Sequence, residues 1–290
     1  MDWYFYRRLR YNDGDDKGVS HMKKLGLCLS GGGARGAYQA GAIKALAEAG
    51  ILDQIEVYAG TSIGAANAAV LASKSPEALE DVWFNIPQNA LKHEKKLLSR
   101  LLEDKLKAID NGIYSMDTFS SIMMQSIDEE QLKTKKVFVT VSDGGDETKG
   151  LFGLVKSSYE HYIRKDSQVI YLPLDELSQK EAHKAVVASC SIPVIFPAVK
   201  KDHRKFYDGG VFDNIPVKPL IASGCTEIIV IQLNKTFFFK PEDYPGVTIH
   251  EIKHQGSLGG VLDFSKEQVE KIFNWGYEDA LTFIKSYQSS

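Results

Sequence analysis

The stretch Ser30–Gly41, SGGGARGAYQAG, follows the apolar run KKLGLCL at Lys23–Leu29 and decides how the fold is interpreted. Gly31, Gly33 and Gly36 satisfy the pattern G-x-G-x-x-G, which binds a dinucleotide pyrophosphate when it lies between a strand and a helix. A run of glycines also exposes backbone N–H groups, and these can stabilise an oxyanion that exists only during a reaction. The loop therefore binds either a cofactor or a transient anion, and its neighbours have to decide between the two.

The segments around this loop alternate between strand and helix patterns. Short apolar runs predict strands at 25–30 and 55–60, and helical spacing of small and apolar residues predicts helices at 37–51 and 61–73. This order favours a mostly parallel sheet covered by helices. The same patterns predict later strands at 135–144, 167–174 and 226–233, and later helices at 178–190 and 265–287.

The composition of the whole chain excludes several classes of function. With 43% hydrophobic and 25% charged residues, the 290-residue chain is typical of a globular protein with a sizeable core. The net charge of −3 argues against nucleic-acid binding, which requires phosphate neutralisation. The three cysteines are too widely spaced for a disulfide framework or a zinc site. The sequence contains no cluster of metal ligands, so we expect no metal, and we also expect no cofactor. Two of them, Cys28 and Cys190, have apolar neighbours and are expected to fill the core.

No segment of the sequence is long and apolar enough to span a bilayer, which requires roughly 18 apolar residues. Residues 1–22 mix aromatic, basic and acidic residues and have neither the apolar centre nor the cleavage site of a signal peptide. We expect them to be a tag or a disordered leader, followed by one domain at 23–290 without an interdomain linker. The expected location is the cytoplasm, with peripheral contact to the membrane.

The second predicted strand lacks the residue that a dinucleotide site needs. Such sites carry an acidic residue at the end of this strand, where it binds the ribose. Here Glu56 begins the strand, and the strand ends in Ala59-Gly60-Thr61-Ser62. Because the loop also has no P-loop lysine, nucleotide binding is the least favoured interpretation.

What ends this strand is GTSIG, a match to the pattern G-x-S-x-G. Between a strand and a helix, its glycines allow a strained turn that lifts the serine hydroxyl above the sheet, and the helix N-terminus favours a nucleophilic oxygen there. Acyl transfer builds negative charge on the substrate carbonyl, so the nearby glycine loop is expected to form an oxyanion hole. The residues of this predicted nucleophile turn are Gly60, Thr61, Ser62, Ile63 and Gly64.

A nucleophilic serine needs a group that accepts its proton, and two kinds of candidate remain. Asp208 follows a short apolar strand and precedes two glycines that allow a sharp turn, although Asp-Gly also occurs in ordinary hairpins. His250 or His254 would instead complete the Ser–Asp–His order of the α/β-hydrolases. In those enzymes the serine normally comes after several strands, whereas Ser62 follows the second one. Neither histidine has a local motif, and we expect both in loops or on the surface.

Four blocks together resemble the patatin-like phospholipase family: LSGGGARGAYQAG, GTSIGA, ASCSIPVIFPAV and FYDGGVFDNIP. The resemblance extends over roughly 23–280 and is weakest at 75–171. It implies a three-layer α/β/α sandwich with a mostly parallel central sheet and a Ser–Asp dyad that works without histidine. Ser62 would then be the nucleophile and Asp208 the base, followed by a turn at Gly209 and Gly210. The implied oxyanion hole comprises Gly31, Gly32, Gly33, Ala34, Arg35 and Gly36.

The resemblance implies a serine acyl hydrolase that cleaves fatty acyl esters of phospholipids or lysophospholipids through an acyl-enzyme. Two alternatives stay open: an acyltransferase with the same machinery, and a non-catalytic lipid- or partner-binding protein of the same fold. The basic amphipathic segment 92–110 and the aromatic stretch 234–246 are candidates for membrane contact, although amphipathic helices more often cover a core. The sequence does not predict the headgroup, the chain length or the oligomeric state.

Overall fold

The computed structural model describes residues 23–86, 122, 125–146, 169–191, 199–201, 204–208, 213–234 and 239–289. The strands are β1 Leu25–Leu29, β2 Ile55–Thr61, β3 Lys136–Asp146, β4 Val169–Pro173, β5 Val199–Lys201, β6 Arg204–Asp208, β7 Glu227–Gln232 and β8 Thr248–Lys253. The helices are α1 Gly36–Glu48, α2 Ile63–Ser73, α3 Pro76–Phe84, α4 Glu129–Leu132, α5 Gln179–Ser189, α6 Lys218–Ala222 and α7 Lys266–Tyr287. Short 3-10 turns lie at Gly33–Arg35, Leu52–Gln54, Leu174–Glu176 and Pro241–Asp243.

The centre of the sheet consists of five parallel strands in the order β3-β2-β1-β7-β8. The carboxyl ends of these strands lie at one edge of the sheet, where the glycine loop follows β1 and the serine turn follows β2. Strands β4 and β6 both run antiparallel to β3, and β5 runs antiparallel to β6. The predicted mostly parallel sheet is therefore confirmed, with antiparallel strands added beyond β3.

Strands β2 and β6 lie on the same flank of β3. The β4 pairing covers Phe138–Ser142, and it overlaps both the β2 pairing, which extends to Thr140, and the β6 pairing, which starts at Val141. A strand residue has only two flanks, so β4 occupies one and the other is shared by β2 and β6. The ends of these two strands meet, because Thr61 lies opposite Thr140 and Asp208 lies opposite Val141.

Buried apolar side chains form two clusters, one on each face of the sheet. The larger cluster joins Leu27 and Leu29 of β1 to side chains from α1, α2, α3, α5 and α7. The smaller one joins Cys28 of the same strand to Val57 and to Leu220 of α6. Successive side chains of a strand point to opposite faces, so this division within β1 shows helices on both sides of the sheet. The three-layer α/β/α fold is confirmed, and Cys28, Cys190 and Cys225 are all buried.

The edge strand β8 was not predicted from the sequence. Its residues, TIHEIK at Thr248–Lys253, are mostly exposed or half-buried, so they lack the apolar run that marks the central strands. Within the described part of the chain, no helix combines the length and apolar character needed to cross a membrane. The expected leader at 1–22 and the amphipathic segment 92–110 lie outside the described residues.

Candidate active site

Ser62 lies between β2 and α2 in a strained backbone conformation. Its φ of 56° and ψ of −126° make it the one non-glycine residue with positive φ among the described residues. The flanking glycines permit this turn, since a Cβ on Gly60 would lie 2.3 Å from the Gly64 carbonyl oxygen, and a Cβ on Gly64 would lie 2.2 Å from that of Leu29. Helix α2 begins at Ile63, so Ser62 lies at the positive end of the helix dipole. This is the geometry that G-x-S-x-G favours for a nucleophile.

A second serine holds this turn in place. The N–H of Ser62 donates to Oγ of Ser189 at 2.8 Å, and Oγ of Ser189 donates to the carbonyl of Thr140 at 2.6 Å. Ser189 is fully buried at the end of α5. Relaxation of the strained turn would break this buried hydrogen bond, so Ser189 holds the Ser62 backbone in its observed conformation. Ser189 belongs to the block ASCSIPVIFPAV, but its role in the turn was not predicted from the sequence.

The glycine loop lies directly beside Ser62. A Cβ on Gly31 would lie 3.2 Å from Cβ of Ser62 and 2.5 Å from Oδ1 of Asn214. Asn214 bonds to Gly31 in both directions, since its carbonyl accepts the Gly31 N–H at 3.2 Å and its side-chain amide donates to the Gly31 carbonyl at 3.3 Å. The segment that begins at Asp213 is thereby fixed against the glycine loop.

Most N–H groups of this loop already have protein acceptors. Hydrogen bonds engage the N–H groups of four of the predicted oxyanion-hole residues: Gly31, Ala34, Arg35 and Gly36. Within the described residues, the N–H groups of Gly32 and Gly33 have no protein acceptor. The geometry therefore favours Gly32 and Gly33 as the donors that remain for a substrate oxyanion. Arg35 has a different contact, because its Nε donates to the carbonyl of Gly259 at 2.9 Å.

The backbone of Asp208 comes to the same point of the sheet. Asp208 ends β6 and lies opposite Val141, while Thr61 ends β2 and lies opposite the preceding β3 residue, Thr140. Consecutive strand positions are about 3.3 Å apart, so the end of β6 lies directly ahead of the Ser62 turn. The structure thus brings together the backbones of the two residues predicted as nucleophile and base.

The two glycines predicted to form the turn after Asp208, Gly209 and Gly210, lie outside the described residues.

The two candidate histidines are bound to carboxylates elsewhere in the fold. Nε2 of His250 lies 2.8 Å from Oε1 of Glu227 at the start of β7. Nδ1 of His254 lies 2.8 Å from Oδ2 of Asp279 on α7, and its ring stacks on Trp275 with centroids 4.5 Å apart. His250 lies in the edge strand β8 with its side chain half-buried, and His254 follows the end of that strand. The geometry therefore gives no support to a Ser–Asp–His arrangement.

A second aspartate in the same segment has structural contacts. Oδ2 of Asp213 accepts the Tyr171 hydroxyl at 2.5 Å and Oδ1 accepts the Ile215 N–H at 3.2 Å. Its backbone carbonyl accepts the Thr61 hydroxyl at 3.0 Å, which ties this segment to the end of β2. Burial raises the pKa of the Asp213 carboxyl above its ordinary value, while the hydrogen bond from Tyr171 opposes the shift.

A buried polar network supports the glycine loop from below. Nδ2 of Asn67 donates to the Gly36 carbonyl at 3.0 Å and to Oε1 of Gln39 at 2.9 Å, and Oδ1 of Asn67 accepts the Trp83 indole N–H at 3.0 Å. Gln39 in turn donates to the Ser30 carbonyl at 2.8 Å. These bonds join α1, α2 and α3 beneath the loop. The signal in the sequence was a single amide in each of two alanine-rich helices, and it was not recognised.

The chain matches the family model for patatin-like phospholipases over residues 27–221, which is more than half of its length. The chain therefore belongs to the patatin-like phospholipase family, a class of lipid ester hydrolases. The resemblance stated from the four sequence blocks is confirmed.

Three proteins with sequence similarity to this chain are much longer than it is. Lysophospholipase NTE1 of Cryptococcus neoformans var. neoformans is 23% identical over 230 residues, which cover 77% of this chain and 12% of the relative. Lysophospholipase NTE1 of Saccharomyces cerevisiae is 24% identical over 220 residues, covering 76% and 11%. An uncharacterized NTE family protein of Mycobacterium tuberculosis is 25% identical over 230 residues, covering 74% and 31%. The chain thus spans less than a third of the length of each.

Among solved structures, VipD from Legionella pneumophila shares the fold. It superposes with a TM-score of 0.54 at 14% sequence identity, over 92% of this chain and 68% of VipD. The architecture around the serine turn is therefore that of a known structural class.

Proposed function

We propose that this chain is a serine acyl hydrolase that cleaves fatty acyl esters of phospholipids or lysophospholipids with a Ser62–Asp208 dyad. The observation that carries the proposal is the meeting of three segments, since the strained Ser62 turn lies beside the glycine loop and against the end of β6. The names of the fungal relatives, both lysophospholipases, support the substrate class.

In the first step, Asp208 accepts the proton of the Ser62 hydroxyl while Oγ attacks the acyl carbonyl carbon. The carbonyl oxygen becomes an oxyanion, and the N–H groups of Gly32 and Gly33 donate hydrogen bonds to it. Such donors act mainly in the transition state, and the loss of one costs a factor of about 10²–10³ in kcat.

In the second step, the tetrahedral intermediate collapses and the ester C–O bond breaks. Asp208 returns its proton to the departing alcohol, which is a lysophospholipid or a glycerophosphate ester, and the acyl group stays on Ser62. Water then attacks the acyl-enzyme, with Asp208 accepting its proton. The second tetrahedral intermediate then collapses and the fatty acid leaves, while Asp208 returns the proton to Oγ of Ser62 and restores the hydroxyl.

An aspartate is a weak base for this task, because an ordinary aspartate has a pKa of about 3.9. A site that excludes water strengthens the base and the oxyanion donors together. Ser62 is only 5% exposed, which is consistent with such a site. The oxyanion donors then carry a large part of the lowering of the barrier.

The proposal includes peripheral contact with a lipid surface, because the substrates reside in membranes. Of the two stretches suggested for this contact, the described part of 234–246 contains Phe239, whose ring stacks on Tyr244 with centroids 5.8 Å apart and packs against the smaller core cluster. This packing makes the Phe239 ring a component of the fold. Co-sedimentation with the substrate vesicles measures the contact in the assay below.

The proposal is tested by fatty-acid release from phosphatidylcholine and lysophosphatidylcholine vesicles. The wild type is expected to release fatty acid, and Ser62→Ala and Asp208→Asn are expected to lose activity by a factor of about 10³ or more. Asp213→Asn is the matched control, since it changes the other carboxyl of the same segment and is expected to stay active. Near-normal turnover by Asp208→Asn would contradict the dyad.

Product analysis separates the alternatives. New esters formed with an added alcohol would indicate an acyltransferase. A wild type that reacts with a fluorophosphonate but leaves these lipids intact would have the machinery and another ester substrate. A wild type that neither reacts nor hydrolyses would be a binding protein of the same fold.

A further inference from the structure

The segment Leu258–Phe264, here called the C-terminal strap, connects β8 to α7 and lies beyond the residues matched by the family model. It contacts the glycine loop through its backbone. The Val261 carbonyl accepts the Ala34 N–H at 2.7 Å, and the Gly259 carbonyl accepts Nε of Arg35 at 2.9 Å. The 3-10 turn Gly33–Arg35, which begins at the second of the two proposed oxyanion donors, is thus bound to the strap at two points.

The approach of strap and loop is as close as backbone atoms allow. A Cβ on Gly33 would lie 2.1 Å from the Val261 carbonyl oxygen, and Gly33 has a positive φ of 59°. Only glycine fits such a position, because any side chain there would clash with backbone that cannot rotate away. The conformation of the glycine loop therefore depends on where the strap lies.

The strap is itself anchored at both ends. At its start, Leu258 is buried and its carbonyl accepts Nε2 of Gln268 on α7 at 2.8 Å. At its end, the Phe264 ring stacks on Trp83 with centroids 6.2 Å apart and an interplanar angle of 6°. The Trp83 ring also lies against Gly36, the first residue of α1, where a Cβ would be 2.5 Å from the ring.

We propose that the C-terminal strap is a positioning element of the oxyanion hole, an inference that rests on the proposed function. Its two carbonyl groups bind Ala34 and Arg35, and this holds the turn in the shape that keeps the N–H groups of Gly32 and Gly33 without protein acceptors. The strap acts on the transition state through these donors and does not touch the reacting atoms. A loosened strap should therefore lower kcat and leave KM nearly unchanged.

Two glycines with the same backbone conformation provide a matched test. Gly259 and Gly224 both have a φ of +83°, so alanine imposes a similar backbone strain at each. A Cβ on Gly259 would also lie 2.4 Å from Nε2 of Gln268, whereas a Cβ on Gly224 would meet no atom within 4 Å. Gly259→Ala thus disturbs the strap, and Gly224→Ala reproduces the strain alone.

The measurement is kcat, KM and the rate of fluorophosphonate labelling for both variants, at a temperature at which both are folded. Gly259→Ala is expected to lose a factor of about 10 or more in kcat and in labelling rate relative to Gly224→Ala, with similar KM values. Gln268→Leu removes the Leu258 anchor without backbone strain and is expected to change the same parameters in the same direction, by a smaller factor. If Gly259→Ala fails to fold, the comparison of Gln268→Leu with the wild type tests the proposal.

Equal kcat and labelling rates for Gly259→Ala and Gly224→Ala would overturn the role of the strap while leaving the proposed function intact. Wild-type activity in Gln268→Leu would also count against the strap. A wild type that is neither labelled nor active would overturn the proposed function, and the strap proposal with it.

Discussion

Ser62 depends on contacts that come from distant parts of the chain. Its N–H is bound by Ser189, its turn is packed against Gly31, and the residue before it is bound by the carbonyl of Asp213. Each contact joins two residues that touch in space but are separated by more than 30 positions in the sequence. The serine itself was recognisable because its neighbours in sequence are diagnostic. Its supporting residues were not, because a lone serine or amide gives no sign of which remote segment it will meet.

The first prediction concerns the hydroxyl of Ser189. Ser189→Ala leaves the Ser62 N–H and the Thr140 carbonyl without this buried partner, which should lower the free energy of unfolding by about 1–3 kcal/mol. The turn can then relax, so we expect kcat to fall by a factor of about 10, the effect of a misplaced nucleophile. Denaturant unfolding and fatty-acid release measure the two effects.

Ser191→Ala is the control for this prediction. Ser191 is equally buried and its hydroxyl donates to the Val187 carbonyl at 2.8 Å, so its loss removes a comparable hydrogen bond without touching the Ser62 turn. A similar loss of kcat in both variants would show that Ser189 has no special role. Recovery of kcat in Ser189→Thr, which keeps a hydroxyl, would support the positioning role.

The second prediction concerns the pH dependence of stability that Asp213 contributes. Burial raises the pKa of this carboxyl, so the folded state binds its proton more tightly than the unfolded state does. Its contribution is fully present below the unfolded pKa of about 3.9 and is lost as the pH rises through the folded pKa. Asp213→Asn has no titrating carboxyl at this position, so it does not lose this contribution to the free energy of unfolding as the pH rises. The variant should therefore become more stable relative to the wild type as the pH rises.

Urea unfolding of the wild type and Asp213→Asn between about pH 4 and pH 7 measures this difference. Tyr171→Phe gives an independent check, because it removes a hydrogen bond that lowers the Asp213 pKa and should steepen the decline with pH. A stability difference between wild type and Asp213→Asn that stays constant over this range would contradict the account.

At the scale of elements, the meeting of β2 and β6 brings the candidate dyad together. The two strands share one flank of β3 and run toward each other, so that one ends at Thr61 and the other at Asp208. The pattern of apolar runs predicts strands, but it carries no information on which flank of β3 each one takes. The pairing of Ser62 with Asp208 therefore had to come from the resemblance to a family.

The alternation of strands and helices around the first two loops was predicted closely, because those segments are buried on both faces. Strand β8 was missed because its sequence, TIHEIK, has neither a continuous apolar run nor a strict alternation of polar and apolar residues. The contacts of the C-terminal strap were beyond prediction too, since they are made by backbone carbonyls that any residue carries.

The third prediction concerns the packing of α1 on α7. Two glycines let these helices approach closely, since a Cβ on Gly41 would lie 1.9 Å from the Phe273 carbonyl oxygen and a Cβ on Gly276 would lie 2.0 Å from that of Tyr38. Gly276→Ala must push the helices apart, so we expect it to destabilise the protein by about 1–3 kcal/mol despite the better helix propensity of alanine. Thermal unfolding measures the change.

Asn274→Ala serves as the comparison, because Asn274 lies on the exposed side of the same helix. This substitution should be neutral or slightly stabilising, as helix propensity alone predicts. Equal melting temperatures for wild type and Gly276→Ala would mean that the helices do not depend on the close approach.

At the scale of the whole molecule, residues outside the family match contact the candidate site. The match ends at residue 221, whereas the strap and α7 lie beyond it and contact the glycine loop and the helix that follows the loop. The fold thus brings residues from nearly the full described length of the chain to one edge of the sheet. That edge is where a water-poor site for an acyl ester is expected.

The Ser62–Asp208 dyad is tested by locating the residue that a fluorophosphonate modifies, with peptide mapping of the labelled wild-type protein. We predict a single adduct on Ser62, its absence in Ser62→Ala, and strongly slowed formation in Asp208→Asn but not in Asp213→Asn. Labelling of a different residue, or labelling of Asp208→Asn at the wild-type rate, would contradict the Ser62–Asp208 dyad.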